Sequence, residues 1–191
     1  PALFRDWAKP APNGFVVVIA RKGVVFMHEG FNGFEKGTLF RPASIAKTVT
    51  GLTFARAVDQ KLFGFDDPLY RAFPNYQGDK TNGITFRHCF YHLTGLEGHF
   101  SHGGLFDPYL DNDLLIQDFG FVEPGTHYTY NGDGMNLVGA ALSYTTGRTM
   151  MSLYHEQLEA PFDEPVMQLD GGAGTRFTAM YLAKVGQMIL Q

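Results

Sequence analysis

Only two segments of this chain read as β-strands, and they are adjacent. Gly14-Phe15-Val16-Val17-Val18-Ile19-Ala20 is followed, after Arg21-Lys22-Gly23, by a second apolar run from Val24 to His28. β-Branched runs of this length, separated by a few turn-forming residues, predict a hairpin. The unbroken apolar character of the first run predicts a strand buried on both faces. A two-stranded hairpin is marginal in water by itself, so the rest of the chain has to cover it. That rest reads as helix and ordered loop, with no later strand.

Residues 3–8 read as the end of a helix terminated by Pro10 and Pro12, and Asn32-Gly33 as a turn opening a loop over 33–40. A helix is expected from Ser44 to Gln60, then loops around residues 64–69 and 74–79. A short helix within Ile84–Leu93 takes Thr85 as its cap and closes at Thr94-Gly95. Residues 97–108 have the Gly-, His- and Ser-rich composition of a cleft-edge loop, and 109–119 read as helix. Further helices are expected over Met135–Tyr144, closed by Gly147, over Met150–Leu158, and over Thr178–Leu190.

With 191 residues, 45% of them apolar, the chain can bury a substantial core. It reads as one domain over 1–191, with the hairpin in 1–40 and the helical region in 41–191. A net charge of −4 without any basic run argues against a nucleic-acid groove. Cys89 is the one cysteine, which excludes an internal disulfide and a zinc–thiolate cluster, and it reads as a buried thiol. No stretch is long and apolar enough to predict a membrane-spanning helix. Nothing in the sequence assigns a compartment.

The chemistry concentrates in Phe40-Arg41-Pro42-Ala43-Ser44-Ile45-Ala46-Lys47-Thr48-Val49-Thr50. Residues three apart on a helix share a face, so the Lys47 amine can approach the Ser44 hydroxyl. A serine hydroxyl attacks a carbonyl well only if a neighbour takes its proton as the bond forms. In a first helical turn it would also sit among backbone N–H groups that favour negative charge. The turns that follow are almost uncharged, and an amine at the edge of a core needs a partner.

Tyr130 is the second candidate, because it lies in a glycine-flanked loop, Tyr128-Thr129-Tyr130-Asn131-Gly132-Asp133-Gly134, where its hydroxyl can face a cleft. An adjacent ammonium group favours the ionised phenol and brings its pKa toward a useful range. Lys47 and Tyr130 would then share proton transfer. His99 and Phe100 are candidates to line the cleft. His88 and His92 lie four apart on the short helix, yet no carboxylate accompanies them as a ready base, and the pair reads as structural rather than metal-binding.

Together these residues resemble the serine β-lactamase and DD-peptidase superfamily, in its branch of class C-like β-lactamases and esterases. Ser44-Ile45-Ala46-Lys47 resembles the nucleophile motif, and Phe65-Asp66-Asp67-Pro68 the Leu-Asp-Asp-Pro turn. His92-Leu93-Thr94-Gly95-Leu96 resembles the His-Thr-Ser-Gly-Leu segment. The Pro124-Gly125-Thr126 to Tyr130 stretch resembles the Tyr-x-Asn region. The resemblance covers about residues 14–190.

It implies an α/β fold, β-lactamase-like, in which an antiparallel sheet is flanked by helices beside a mostly helical subdomain. It implies a hydrolase that passes through an acyl-enzyme, with Ser44 as nucleophile, Lys47 as its proton-handling partner and Tyr130 as general base. No metal or organic cofactor is implied. The partner is a small ester or amide substrate, contacted by Asn131, Gly132, His99 and Phe100. Gly132 departs from the family pattern, standing where an asparagine often helps hold a substrate amide, while asparagine occupies 131 instead. Ester hydrolysis is therefore expected first, DD-peptidase or β-lactamase activity second, and a catalytically silent binding module third. The family's Lys-Thr-Gly or His-x-Gly segment has no match here. The domain is accordingly expected to be incomplete, with a C-terminal segment or second chain completing the sheet and the oxyanion hole.

Overall fold

The two strand-like runs do pair, as β1 (Phe15–Arg21) and β2 (Val24–Phe31), antiparallel from Phe15 opposite Phe31 to Arg21 opposite Val24. The turn between them is Lys22-Gly23, both at positive φ (51° and 78°). That conformation matches the right-handed twist of a tight hairpin. The computed structural model describes residues 2–10, 12–73, 83–96, 122–130, 132–167 and 176–191. The expected helix over 109–119 and the loop over 74–79 lie outside them.

The expectation of a first strand buried on both faces is corrected. No β1 residue is fully buried, and on β2 only Met27 is. Val24, Val25 and Phe26 are exposed. The physical reason is the small number of covering elements: helix Ala179–Ile189 packs against β1, and among the described residues no third strand joins the hairpin. An N-terminal helix, α1 (Ala2–Ala8), sets Trp7 edge-on to Phe15, with ring centroids 5.1 Å apart.

The expectation of no later strand is also corrected. β3 (Val166–Met167) pairs with β4 (Arg176–Phe177), and Phe177 forms an isolated bridge to Phe40. Two-residue strands are too short to leave an alternating pattern, which is why the sequence hides them.

The core is built on α2 (Ala46–Asp59). Its buried residues Ala46, Val49, Thr50, Thr53, Phe54 and Ala57 fall at three- and four-residue spacings, so one stripe of the helix faces inward. Phe54 is the hub, its ring lying 4.8 to 5.9 Å from those of Phe63, Phe65, Phe86 and Phe90. Phe86 and Phe90 belong to α3 (Phe86–Tyr91), whose N-cap Thr85 accepts from the His88 backbone while the His88 side chain returns to the Thr85 N–H. The reciprocal pair satisfies two orphan donors at the helix start.

The next described helix, α4 (Asp133–Thr146), packs on both α2 and α3 and ends at Gly147 in the left-handed conformation. α5 (Met150–Tyr154) continues through a π-helical turn, His155–Glu159, into α6 (Ala160–Phe162), so Pro161 lies within the helix rather than beyond its end. Tyr154 reaches back to α2, its hydroxyl 2.6 Å from that of Thr50 in the core. The last helix, α7 (Ala179–Ile189), is capped by Thr178 and contributes Tyr181 and Val185 to the same core.

Candidate active site

The chain enters the serine turn from a fixed point. Phe40 and Phe177 exchange two backbone hydrogen bonds of 3.1 Å, tying the approach to the serine to β4. Pro42 follows, and then Ala43 adopts φ 49°, a left-handed conformation that costs a residue with a Cβ about 1–2 kcal/mol. This bend feeds a 3₁₀ turn, Ala43–Ile45, which runs straight into α2. Ser44 therefore stands on the turn that starts the helix rather than within the α-helix itself, and its side chain is exposed.

Lys47 is one turn along, half-buried at the edge of the inward stripe, and its Nζ lies 3.2 Å from Ser44 Oγ. Tyr130 comes from 86 residues away and places its hydroxyl 2.5 Å from the same oxygen. The Lys47 amine also lies over the Tyr130 ring, 5.2 Å from its centroid. An alcohol, an amine and a phenol thus share one point in space.

Three backbone hydrogen bonds hold the Tyr130 segment to the end of α3. Val122 N–H donates to Gly95 (3.1 Å), Gly125 N–H to Leu93 (2.9 Å) and Thr129 N–H to His92 (3.0 Å). Gly95 has a reason to be glycine: its φ is +73°, and a Cβ there would stand 1.7 Å from the Val122 carbonyl oxygen. The helix itself closes earlier than Thr94-Gly95, at His92, which takes the left-handed φ of 57°.

The hydrogen bond with Ser44 holds the Tyr130 phenol below its ordinary pKa; desolvation opposes it, and the charge and hydrogen bond of Lys47 each add a smaller downward contribution. These interactions favour the ionised phenol. Such a group can take a proton from Ser44 as the oxygen attacks, and hand it on afterwards.

Gly132, expected at the substrate site, is the N-cap of α4, in an ordinary right-handed conformation (φ −88°, ψ −15°) with open space where a Cβ would be. Asn131, His99 and Phe100 lie outside the described residues. His92, read from sequence as structural, is half-buried, with its ring 4.5 Å from that of Tyr130 and 6.0 Å from that of Tyr128. A histidine at the closing position of a helix, where glycine is the common choice, was the available signal. Cys89 is buried, and burial pushes its thiol up to about 12, out of reach of nucleophilic chemistry at neutral pH. No cluster of metal-ligand residues occurs among the described residues.

A β-lactamase family model matches residues 4–187, nearly the whole chain. The chain belongs to the β-lactamase family. Solved structures of this family's fold superpose on it closely. A protein from Bacteroides dorei DSM 17855 assigned as a β-lactamase matches with a TM-score of 0.83 at 21% identity, over 98% of this chain and 61% of its own. A β-lactamase/D-alanine carboxypeptidase from Yersinia pestis, solved with citrate, matches with a TM-score of 0.75 at 20% identity, over 91% and 62%. EstCE1, a hydrolase with promiscuous acyltransferase activity, gives 0.70 at 19% identity, over 88% and 65%. The fold is the β-lactamase-like α/β arrangement of antiparallel sheet and flanking helices. This β-lactamase-family chain spans less than two thirds of each of these relatives' lengths. Among the described residues no helix is long and apolar enough to cross a membrane.

Proposed function

We propose that this chain carries the catalytic nucleophile of a serine hydrolase of the esterase branch, acting on small carboxylic esters through an acyl-enzyme on Ser44. The observation that carries the reading is the convergence of Lys47 Nζ and Tyr130 Oη on Ser44 Oγ, at 3.2 and 2.5 Å. In the resting pair the protonated phenol donates to Ser44, and once ionised it accepts from the Ser44 hydroxyl instead. Tyr130 then takes the serine proton while Ser44 Oγ bonds to the ester carbonyl carbon. The tetrahedral adduct collapses, the ester C–O bond breaks, and the leaving alkoxide receives that proton. Water gives a proton to Tyr130 as its oxygen bonds to the acyl carbon; the bond from that carbon to Ser44 Oγ then breaks, Tyr130 returns the proton to Ser44 Oγ, and the carboxylic acid leaves. Lys47 keeps the phenol acidic throughout.

The oxyanion of each adduct needs two donors about 2.7–3.1 Å away. The helix start behind Ser44 favours negative charge there. By resemblance to the family, the Ser44 backbone N–H is one donor and a strand supplies the other. Removing one such donor typically costs about 2.7–4 kcal/mol of transition-state stabilisation.

Ester rather than amide hydrolysis is favoured by Gly132, which offers no side chain to a substrate amide. A second reading, β-lactam or D-alanyl peptide hydrolysis, is supported by the Yersinia pestis relative's name and the shared fold. Intact-mass measurement after mixing the full-length protein with a fluorophosphonate, and separately with benzylpenicillin, decides between them. The esterase reading expects an adduct on Ser44 with the first alone, absent from Ser44→Ala. Adducts with both favour the second reading, and none with either makes the chain a silent binding module.

A further inference from the structure

We infer that His92 is a positioning residue for Tyr130, holding the phenol on Ser44 through its ring and its backbone together. The inference rests on the hydrolase reading above and concerns how that site is kept in register. One residue engages three in succession: the His92 ring lies 6.0 Å from the Tyr128 ring and 4.5 Å from the Tyr130 ring, and its carbonyl accepts the Thr129 N–H at 3.0 Å. Tyr130 is itself exposed, at 54%, so core packing does not orient it. The next described residue after it, Gly132, has no side chain to restrain the loop.

The backbone of His92 makes a filler role hard to sustain. At φ 57° it closes α3 in the left-handed region, where glycine is the residue without penalty. Histidine is tolerated there better than most residues, yet it is still disfavoured. A purely structural closure would be served better by glycine, and what glycine lacks is the ring that meets Tyr130. Lys47 from α2 and His92 from the end of α3 are thus set against the same phenol, the first through charge and hydrogen bonding, the second through packing.

The test uses His92→Gly and His92→Asn in the full-length protein, since both residues accept a left-handed backbone and neither supplies an aromatic ring. The rate of fluorophosphonate labelling at Ser44 is measured against pH, with melting temperatures alongside. The expected result is a melting temperature equal to or above wild type, with labelling slowed ten-fold or more. The rising limb of the pH profile moves to higher pH as the phenol leaves the partners that keep it acidic. Unchanged rate and pH profile in a labelled wild-type background would overturn this inference and leave the hydrolase reading standing. A slower rate that merely follows a lower melting temperature would also overturn it, in favour of a structural role. Failure of the wild type itself to label at Ser44 removes the hydrolase reading, and this inference with it.

Discussion

Tyr130 Oη and Ser44 Oγ are 2.5 Å apart, although 86 residues separate them along the chain. Helix α2 presents the serine turn, and three backbone hydrogen bonds from the end of α3 deliver the phenol. Everything proposed about chemistry depends on this pair. Lys47 adds charge to it without displacing either oxygen.

The pair makes a prediction about pH. In the proposed mechanism the ionised phenol is the active form, so ester hydrolysis is expected to rise with pH through the Tyr130 pKa, which lies below the ordinary phenol value because of Ser44 first and Lys47 next. Lys47→Met removes the favourable charge, so the phenol titrates higher and the rising limb shifts toward alkaline pH. Tyr130→Phe removes the proton acceptor and is expected to lower kcat/KM by about 10²–10⁴-fold at all pH values. Profiles of p-nitrophenyl ester hydrolysis measure both, and a Lys47→Met limb at or below the wild-type position contradicts the proposed role.

The clamp between Gly95 and Val122 gives a second prediction. In Gly95→Ala the new methyl would stand 1.7 Å from the Val122 carbonyl oxygen, on a backbone at φ +73°. Overpacking typically costs about 1–3 kcal/mol, with roughly 1–2 kcal/mol more for the left-handed alanine. Chemical denaturation should show that loss. Ser44 labelling should slow more than Ser44 accessibility explains, since the Tyr130 segment hangs from the same set of hydrogen bonds.

How much of this was legible depends on how local each feature is. The Ser44–Lys47 contact is written into three-residue spacing along a helix and needs nothing else. Tyr130 is not: no spacing rule links positions 86 apart, and its glycine-flanked loop made it a candidate without tying it to Ser44, a link that only the motif resemblance suggested. The hairpin was readable from its two apolar runs and the turn residues between them, whereas its exposure was not, because an apolar run does not say how many elements will cover it. Gly95 looked like the stop signal of α3, but the helix stops at His92 and spends the glycine on the close approach to Val122. The Phe40–Phe177 bridge that anchors the serine turn involves a strand of two residues, too short for any pattern.

Phe54 provides a stability prediction separable from chemistry. It is fully buried, with four phenylalanine rings around it. Phe54→Ala removes that hub and is expected to cost about 3–5 kcal/mol. It sits on the buried stripe of α2, away from the Ser44 turn, so the folded fraction at low temperature should label at Ser44 at the wild-type rate. A melting temperature unchanged by the substitution contradicts the assignment of Phe54 as the centre of the core.

Gly132 allows the substrate question to be put to the protein directly. The residue has a conformation open to any L-amino acid, and a Cβ built there meets nothing within 4 Å, so Gly132→Asn introduces a side chain without displacing a neighbour. With a permitted backbone and open space, the melting temperature should hold. If a missing carboxamide is what turns amides away, the variant should gain a benzylpenicillin adduct on Ser44 that wild type lacks, while p-nitrophenyl ester hydrolysis changes by less than about ten-fold, the equivalent of 1.4 kcal/mol. The gain is expected to be modest, because a substrate amide needs more than one partner. A stable, folded Gly132→Asn variant that still ignores penicillin would move the ester preference away from this position and onto the shape of the acyl site.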